Sequence, residues 1–317
     1  MSNRIFAALA LGCALTAIGC SDGTLATIAP LATGQRGVTA LVADGDFVYW
    51  SLTDGSVNRV SVDGGKVQTV VSGLTMPAQL VVDDSRVYWS TLDGGIGSAP
   101  KAGGDTTSLA EGEDGTVGLQ LDDKNVFWAR SSGEVKKAEK GGGALTLLAT
   151  DPTRPSSLAQ SDGTLCWTSG GDADGALHTV DVDRTGGTYD APPIVRQLIS
   201  PRSLAATPGV AFWASLDPDA LAADPTSSAE VLTRVNLDGS DVRTLSTGLA
   251  SVDAMIADDA TLYLSTLDGN VLSLPVDGGD AVSFATGPKG RTSIAVDTTS
   301  VYWAHAGGDA IFALPKN

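Results

Sequence analysis

One aromatic tripeptide recurs seven times along the chain and constrains the fold more than any other feature of the sequence. Its third residue is Trp in six copies and Leu in one, and successive copies are 39, 39, 39, 46, 51 and 39 residues apart. All six Trp of the chain occupy this position, and four of the five Tyr directly precede it. A repeat of about 40 residues predicts that each copy marks one structural unit of a repeat protein. The copies are Val48–Trp50, Val87–Trp89, Val126–Trp128, Leu165–Trp167, Ala211–Trp213, Leu262–Leu264 and Val301–Trp303.

Each tripeptide lies in the same pattern of short apolar strands and tight turns. Turns rich in Asp and Gly follow it, as in Thr53–Gly55 and Asp63–Gly65. Four short strands joined by such turns form an antiparallel sheet, and radial repetition of these sheets forms a β-propeller. We therefore predict an all-β, seven-bladed β-propeller of four-stranded antiparallel blades. An Asp stands six residues before the third position of the tripeptide in five units: Asp44, Asp83, Asp122, Asp258 and Asp297.

The two ends of the repeat region predict how the ring closes. The last unit stops at Asn317, where its third strand should end, so a fourth strand is missing. The stretch Leu31–Gln35 is similar to Phe284–Pro288, which ends the fourth strand of the sixth unit. We expect the segment 24–35 to pair with 308–316 and to close the last blade, because pairing protects an otherwise open sheet edge.

The repeated aromatic residues have a packing role in this prediction. Propeller blades are buried on both faces, so adjacent Tyr and Trp of a central strand point into the two neighbouring blade interfaces. The alternative is that the aromatic set stacks on sugars or bases. Six equivalent copies favour packing.

The first twenty residues have the pattern of an export signal. Arg4 precedes fourteen apolar residues, which is too few for a transmembrane helix, since a helix needs about 20 residues to cross the hydrocarbon core. The ending Ala17–Cys20 resembles the lipobox of bacterial lipoproteins. That resemblance implies a signal peptide at 1–19, an acylated Cys20 with a short tether at 20–24, and the propeller at 25–317. Ordinary secretion with a free N-terminal Cys is the alternative.

This resemblance also implies a location and limits the disulfide chemistry. We expect a lipid-anchored protein of the cell envelope, at the outer membrane on its periplasmic or surface side if the host is Gram-negative. Cys13 would leave with the signal peptide and Cys20 would carry the lipid. Cys166 would then remain alone, so no intramolecular disulfide could form.

Whole units of the repeat also resemble a known type of propeller. Val48–Gly65 and Arg234–Ser240 resemble YWTD-type and TolB-like β-propeller repeats, and the resemblance covers about residues 24–317. The chain departs from the usual YWTD propeller in having seven copies rather than six and Ser rather than Thr after Trp. The resemblance implies a module for ligand binding and interaction, without identifying a partner.

Candidate binding residues lie in the connections between blades. Alternating strand direction places these connections on one face of the disc, together with the turns between second and third strands. The fifth unit carries an insertion at 214–230 on this face, and the fourth unit carries short ones at 171–175 here and 184–193 on the opposite face. Arginines around the channel mouth would attract carboxylate or phosphate groups, and solvated loop arginines are the alternative. The candidates are Arg36, Arg154, Arg202, Arg291 and Lys289.

Composition and motifs argue against several function classes. The formal net charge of −17 opposes nucleic-acid binding, which requires a cationic surface. The acidic stretches 172–175 and 217–219 provide no complete calcium loop, so we expect no metal site and no cofactor. The two His, His178 and His305, lie in separate units without a companion motif. We identify no catalytic residue.

Three functions remain open. The first is a monomeric, lipid-anchored binding or scaffold propeller for a protein, a peptide or an anionic envelope ligand. The second is a propeller lyase or hydrolase that acts on an anionic carbohydrate or lactone, with His305 or acidic loop residues as catalysts. The third is a purely structural envelope component. Because the sequence has few candidate catalytic residues, the first function is favoured over an enzyme.

Overall fold

The computed structural model describes residues 16–17, 26–151, 153–171, 174–185 and 189–316 of the chain. These residues form seven four-stranded antiparallel blades, so the predicted fold class is confirmed. Cys20 and Asp172 lie outside the described residues, as does the predicted cleavage site before Cys20. Among the residues that are described, no helix is long or apolar enough to cross a bilayer.

Three short strands precede blades 1 to 3, whose strands follow in chain order. The strands of this part are β1 (Thr16–Ala17), β2 (Ala26–Thr27), β3 (Pro30–Thr33), β4 (Val38–Ala43), β5 (Phe47–Leu52), β6 (Val57–Ser61), β7 (Gln68–Val71), β8 (Pro77–Val82), β9 (Arg86–Thr91), β10 (Ile96–Pro100), β11 (Thr107–Ala110), β12 (Thr116–Leu121), β13 (Asn125–Arg130), β14 (Glu134–Glu139) and β15 (Thr146–Thr150).

Blades 4 to 7 use the remaining strands, and one helical turn interrupts blade 5. These elements are β16 (Pro155–Ser161), β17 (Thr164–Ser169), β18 (Gly175–Asp181), β19 (Pro193–Leu198), β20 (Arg202–Thr207), β21 (Val210–Leu216), α1 (Pro218–Ala223), β22 (Glu230–Asn236), β23 (Arg243–Leu249), β24 (Val252–Ala257), β25 (Thr261–Thr266), β26 (Asn270–Pro275), β27 (Val282–Thr286), β28 (Thr292–Val296), β29 (Ser300–His305) and β30 (Ala310–Pro315).

The N-terminal strand β3 closes the last blade, as the sequence predicted. It pairs antiparallel with β30, with Pro30 opposite Phe312 and Thr33 opposite Ala310. The closing strand is shorter than the expected segment 24–35. The residues before it, in β2, instead pair with β1 at the outer edge of blade 6. Because β1 falls within the predicted signal peptide, cleavage there would leave blade 6 with the same four strands as the other blades.

The hydrophobic core consists of seven clusters between adjacent blades. Each cluster joins the residue at the Tyr position of one blade to the residue at the Trp position of the next. Tyr49 packs with Trp89, for example, and Tyr302 packs with Trp50 across the closure. The packing role predicted for the tripeptide is therefore confirmed. Truncating a buried Trp of this set to Ala should cost about 3–5 kcal/mol.

The two faces of the disc carry different sets of loops. We call the Asp face the side that carries the turns between first and second strands, at 44–46, 83–85, 122–124, 162–163, 208–209, 258–260 and 297–299. We call the mouth face the side that carries the connections between blades, at 34–37, 72–76, 111–115, 151 and 153–154, 199–201, 250–251 and 287–291.

The recurring Asp of the Asp face ties each turn to the strand behind it. The Oδ1 atom of Asp83 accepts the backbone N–H groups of Ser85 at 2.9 Å and Arg86 at 2.8 Å. Its Oδ2 atom accepts the hydroxyl of Tyr88 at 2.8 Å. Asp44 and Asp297 make the same set of three hydrogen bonds. One side chain therefore stabilises a tight turn and satisfies a tyrosine hydroxyl in each of these blades.

Three of these Asp also bind a Lys from the next blade. The Nζ atom of Lys140 in blade 3 lies 2.9 Å from Asp83 in blade 2. The same pairing joins Lys101 to Asp44 at 2.7 Å and Lys316 to Asp258 at 2.6 Å. The Asp face is therefore a repeated set of contacts that connects neighbouring blades.

Candidate binding site at the channel mouth

The first strand of every blade faces the central channel, and side chains link these strands around the ring. Thr39 Oγ1 donates to the carbonyl oxygen of Pro77 in the next blade at 2.5 Å. Ser156 Oγ donates to the carbonyl of Pro201 at 3.1 Å, and Ser203 Oγ donates to that of Val252 at 3.2 Å. These bonds use carbonyl groups at the inner edge of the sheets, which would otherwise lack partners.

Two adjoining cavities of about 600 and 520 Å³ open at the mouth face, where these strands begin. Both are lined by Gln79, Asp253, Ala254 and Arg291, so they form one continuous mouth. The position eleven residues before the Trp position lines this mouth in every blade. It is occupied by Thr39, Ala78, Val117, Ser156, Arg202, Asp253 and Thr292.

Arg291 lies at the mouth beside the largely buried carboxylate of Asp253. Its Nε atom lies 3.3 Å from Oδ1 of Asp253, whose side chain is 11% exposed while that of Arg291 is 80% exposed. The Oδ2 atom of Asp253 accepts the backbone N–H of Thr292 at 2.8 Å. Asp253 therefore joins blade 6 to blade 7 and forms an ion pair with the Nε side of the guanidinium group. The Nη atoms of Arg291 have no partner among the residues that the structure describes.

Arg202 is held in a similar way by Glu230, at the start of β22. The Nε atom of Arg202 lies 3.3 Å from Oε1 of Glu230, whose side chain is fully buried. Burial raises the pKa of Glu230, although the hydrogen bond from Val252 N–H and the charge of Arg202 oppose that shift. The Arg202 side chain is 41% exposed, and its Nη atoms make no hydrogen bond within the described part of the chain.

The other three predicted binding residues lie outside this lining. Arg36, Arg154 and Lys289 have exposed side chains in the connections 34–37, 153–154 and 287–291. Arg202 and Arg291 line the second cavity together, so the structure brings two of the five candidates into one site. The difference arises from position: Arg202 and Arg291 lie 11 and 12 residues before the Trp position of their units, whereas the other three lie 13 or 14 residues before it.

The partners Asp253 and Glu230 were not among the sequence candidates. Aligning the seven units on the Trp position places Asp253 at the same channel-lining position as Arg202. The other five residues at this position are small or apolar. The alignment therefore distinguishes the two charged residues from the rest. Glu230 has no comparable signal, since it ends an insertion that has no counterpart in other blades.

The insertion 214–230 contributes to the mouth through its end rather than through its helix. Asp217 caps α1, its side chain accepting from the backbone N–H groups of Asp219 and Ala220. No residue of α1 is buried. The two sides of the loop meet where Asp217 N–H donates to the carbonyl of Ala229 at 3.0 Å. This hydrogen bond closes the loop and positions Glu230 next to Arg202.

The insertion of blade 4 on the Asp face has a packing role. The Thr150 N–H donates to the carbonyl of Tyr189 at 2.9 Å, so the loop folds onto the outer strand of blade 3. Ala191 is buried in the cluster between blades 3 and 4. Arg184 lies over the Tyr189 ring, 4.1 Å from its centroid. Residues 186–188 lie outside the described part.

Both histidines are buried. His178 stacks on Trp167, and its Nε2 atom contacts Ser169 at 2.9 Å and Asp151 at 3.4 Å. Because the same nitrogen faces both the hydroxyl and the carboxylate, these three groups lack the linear order of a catalytic triad. His305 contacts Thr292 through Nδ1 at 2.7 Å. Burial lowers the pKa of His305, which keeps this imidazole neutral at pH 7.

Acidic residues that the sequence raised as possible calcium ligands are used in turns. Asp174 Oδ1 accepts the backbone N–H of Gly171 at 3.1 Å, and Asp217 caps α1. Within the described ranges, no group of three or more His, Cys, Asp or Glu is arranged to hold a metal ion. The buried Cys166 is free, and burial raises its pKa to about 12.

Comparisons with known proteins show similarity of fold alone. No protein-family model and no curated protein matches the chain. The structure is similar to the computationally designed Ika8 protein, with a TM-score of 0.62 and 15% identity over 90% of this chain and 98% of that one. It is similar to the Pan2 WD40 domain of Neurospora crassa, with a TM-score of 0.64 and 10% identity over 89% and 90%.

A third solved structure comes from a complex of two proteins. A chain in the crystal structure of a nidogen/laminin complex matches with a TM-score of 0.51 and 17% identity. The match covers 74% of this chain and 94% of that one. At these identities the comparisons establish a β-propeller and carry no assignment of a ligand.

Proposed function

We propose that this protein is a binding propeller whose channel mouth holds an anionic group of a protein or peptide partner. The observation that carries the proposal is the pair Arg202 and Arg291, which line one cavity and whose Nη atoms make no hydrogen bond with a described residue. A carboxylate or phosphate binds a guanidinium group through two parallel hydrogen bonds, and such charge-assisted pairs are stronger than neutral ones. A partner group in the mouth would meet two such donors.

The acidic partners of these arginines support this role. The Nε atom is the point of each guanidinium group closest to its carboxylate, and the Nη atoms make no hydrogen bond with the described residues, which leaves them for a ligand. Preorganised donors lose less conformational entropy on binding than free side chains do. The mouth therefore offers two guanidinium groups, each beside a carboxylate, on a protein that is otherwise strongly acidic.

A protein or peptide fits the remaining features better than a small anion does. The mouth is wide, since its two cavities adjoin, and the insertion 214–230 projects exposed surface beside it. Propellers are common interaction modules, and the nidogen/laminin structure contains a matching chain within a protein complex. We carry that behaviour to this chain as part of the proposal.

The proposal includes lipid anchoring at Cys20 in the cell envelope. Its support is the sequence pattern of residues 1–20 together with the position of the first closing strand. Pro30 follows Cys20 by ten residues, so a lipidated Cys20 would hold the disc close to the membrane. Cys20→Ala should move the protein from the detergent phase to the aqueous phase in a phase-partition assay. Unchanged partition would contradict the anchor.

The binding proposal can be tested with a panel of labelled peptides. The panel consists of fluorescein-labelled heptapeptides that carry one Asp, one Glu, one phosphoserine or a free terminal carboxylate, with neutral versions as references. Fluorescence anisotropy measures each affinity for the wild type. We expect at least one anionic peptide to bind more tightly than its neutral version.

Two double variants then locate the site. Arg202→Ala with Arg291→Ala should weaken binding of that peptide about tenfold or more, which corresponds to about 1.4 kcal/mol. Arg36→Ala with Arg154→Ala removes the same charge from the same face outside the cavity and should leave the affinity unchanged. Equal weakening by both double variants, or by neither, would contradict the proposal.

A further inference from the structure

Large apolar side chains are exposed around the channel mouth. Of the six that the described residues expose, three lie on the mouth face: Met76 at 45%, Leu92 at 61% and Leu267 at 39%. The other three lie in or next to turns between third and fourth strands, on the Asp face: Leu145, Val242 and Val282. Met76 and Leu92 line the first cavity of the mouth, of about 600 Å³, and Leu267 lines the second. An apolar set gathered at one opening indicates a contact surface.

Met76 occupies a strained backbone position. The residue thirteen positions before the Trp position has a positive φ in every blade except blade 6. In blades 1 to 7 this residue is Gly37, Met76, Gly115, Arg154, Ser200, Ser251 and Gly290. Met76, with a φ of 44°, is the one large apolar residue in this set. A side chain in this left-handed region costs free energy that glycine avoids, and strain of this kind clusters at ligand sites, which supports a binding role for Met76.

Leu92 is held next to Met76 by the backbone. The Leu92 N–H group lies 3.1 Å from the carbonyl oxygen of Thr75 and 3.2 Å from that of Met76. This contact joins the turn after β9 to the connection before β8. Blade 1 makes the equivalent contact, where Thr53 N–H donates to the carbonyl of Gly37 at 2.9 Å. Blade 2 differs in its side chains, because it is the one blade with a large apolar residue at both positions. The repeat therefore sets a geometry that places Met76 and Leu92 together at the first cavity.

Arg291 connects the charged and the apolar parts of the mouth. It lines both cavities, whereas Arg202 lines only the second, and Met76 and Leu92 line only the first. Among the described residues that line the first cavity, Arg291 and its partner Asp253 are the only charged ones. A group that the two arginines hold in the second cavity would therefore border a largely uncharged space with an apolar pair at its rim.

We infer that the mouth binds a peptide segment that carries a large apolar side chain within two residues of its acidic group. The inference rests on the proposed function, since the acidic group is the one that Arg202 and Arg291 would hold. The apolar side chain would enter the first cavity and contact Met76 and Leu92. Consecutive residues of an extended chain advance about 3.3 Å, so a side chain within two residues of the acid stays within one mouth. Met adapts to apolar groups of different shape, because its side chain is flexible and polarisable.

A peptide fits this mouth better than a fatty acid, which also joins an acid to an apolar chain. A long acyl chain requires a continuous apolar lining, whereas Thr39, Thr53 and Gln79 lie among the apolar residues of the first cavity. Gln79 lines both cavities, and its amide group has no partner among the described residues. This amide can donate to and accept from the peptide backbone that joins the acidic and apolar side chains. An acyl chain offers no such groups.

Pairs of fluorescein-labelled heptapeptides provide the test. Each peptide contains the acidic group that binds most tightly in the panel described above, in a background of Gly and Ser. Within a pair, one residue near the acid is Leu in one member and Ser in the other, and there is one pair for every position within two residues of the acid. Fluorescence anisotropy measures each affinity for the wild-type protein. We expect the Leu member of at least one pair to bind about tenfold more tightly than its Ser member, which corresponds to about 1.4 kcal/mol.

Variants of the apolar pair then locate the contact. Met76→Gly with Leu92→Ser gives blade 2 the residue types that blade 3 has at the same two positions, and the change to glycine relieves the backbone strain. The preference for Leu over Ser should fall from about tenfold to about twofold or less. Leu92→Ser alone should lose part of the preference, and it serves if the double variant does not fold. Leu145→Ser with Val242→Ser removes two exposed apolar side chains from the Asp face and should keep the full preference.

Four results would overturn the inference. Equal binding of the Leu and Ser members in every pair, with binding still weakened by Arg202→Ala with Arg291→Ala, would refute the apolar contact and leave the proposed function standing. A Leu preference that persists in Met76→Gly with Leu92→Ser would place that contact elsewhere. Displacement of the Leu peptide by sodium octanoate at a lower concentration than by unlabelled Leu peptide would assign the first cavity to an acyl chain. No binding of any acidic peptide, with Leu or with Ser, would contradict the proposed function and this inference together.

Discussion

The Asp face and the mouth face of the disc use charged residues in opposite ways. On the Asp face, Asp44, Asp83 and Asp258 make nearly the same contacts in their separate blades, each with its turn and with a Lys of the next blade. On the mouth face, the ion pairs of Arg202 and Arg291 each occur once and differ in geometry. A contact repeated in blade after blade serves the ring, because every blade needs it. A contact found in one blade is available for a specific partner.

The largest effect is expected from removal of β3, the strand that closes the ring. Deletion of residues 21–35 removes β3 together with Ile28 and Ala32, which are buried in the clusters on either side of blade 7. It also exposes the edge of β30, which favours aggregation. We expect the melting temperature to fall by about 10 °C or more, with loss of soluble protein.

Deletion of residues 21–25 alone is the matched control, because β3 stays in place. Circular dichroism melting curves of both deletions decide the result. A longer deletion that melts like the control would show that β3 does not close the ring.

The Asp face can be tested at one repeated contact. Asp83→Ala removes two backbone hydrogen bonds, the Tyr88 contact and the Lys140 pair, and should cost about 1–3 kcal/mol of the free energy of unfolding. Asp84→Ala removes a neighbouring exposed carboxylate and should change the free energy by less than about 0.5 kcal/mol. Urea unfolding measures both. Equal effects would mean that the repeated contact contributes nothing of its own.

The effect of Asp83→Ala should depend on pH. Burial alone would raise the pKa of Asp83, but hydrogen bonds from Lys140, the turn N–H groups and Tyr88 outweigh it and lower the pKa below its ordinary value. A carboxyl group with a lowered pKa stabilises the fold above its unfolded pKa of about 3.9, and this contribution is lost as the pH falls further. The difference between wild type and variant should therefore shrink below about pH 4. A constant difference down to pH 2 would contradict the ionic part of the contact.

The smallest effect on stability is expected at the mouth. Arg291→Ala removes an exposed guanidinium group from one ion pair, and such pairs contribute about 0–1 kcal/mol. Asp253 keeps the hydrogen bond from Thr292 N–H. Urea unfolding should show a change below about 1 kcal/mol. A loss as large as that of Asp83→Ala would assign Arg291 to the support of the ring.

The sequence predicted the fold well because the fold depends on a repeated pattern. Seven copies of one tripeptide fixed the number of blades, and the similarity of Leu31–Gln35 to Phe284–Pro288 indicated the closure. The recurring Asp was visible as well. Its ion pair with Lys could not be predicted, because that Lys belongs to another blade and is distant in sequence.

The candidate sites were harder to predict because they depend on exceptions. The sequence grouped Arg36, Arg154 and Lys289 with Arg202 and Arg291 because all five lie in or next to the connections between blades. The number of residues to the Trp position separates the two groups.

One measurement tests most directly whether repeated contacts serve the ring and single ones serve binding. It is the anisotropy titration of the tightest anionic heptapeptide against wild type, Asp83→Ala and the double variant Arg202→Ala with Arg291→Ala, all at a temperature where each is folded. We predict that Asp83→Ala, although less stable, binds with the affinity of the wild type, and that the double variant binds about tenfold more weakly or worse. Loss of binding in Asp83→Ala together with wild-type affinity in the double variant would contradict the account.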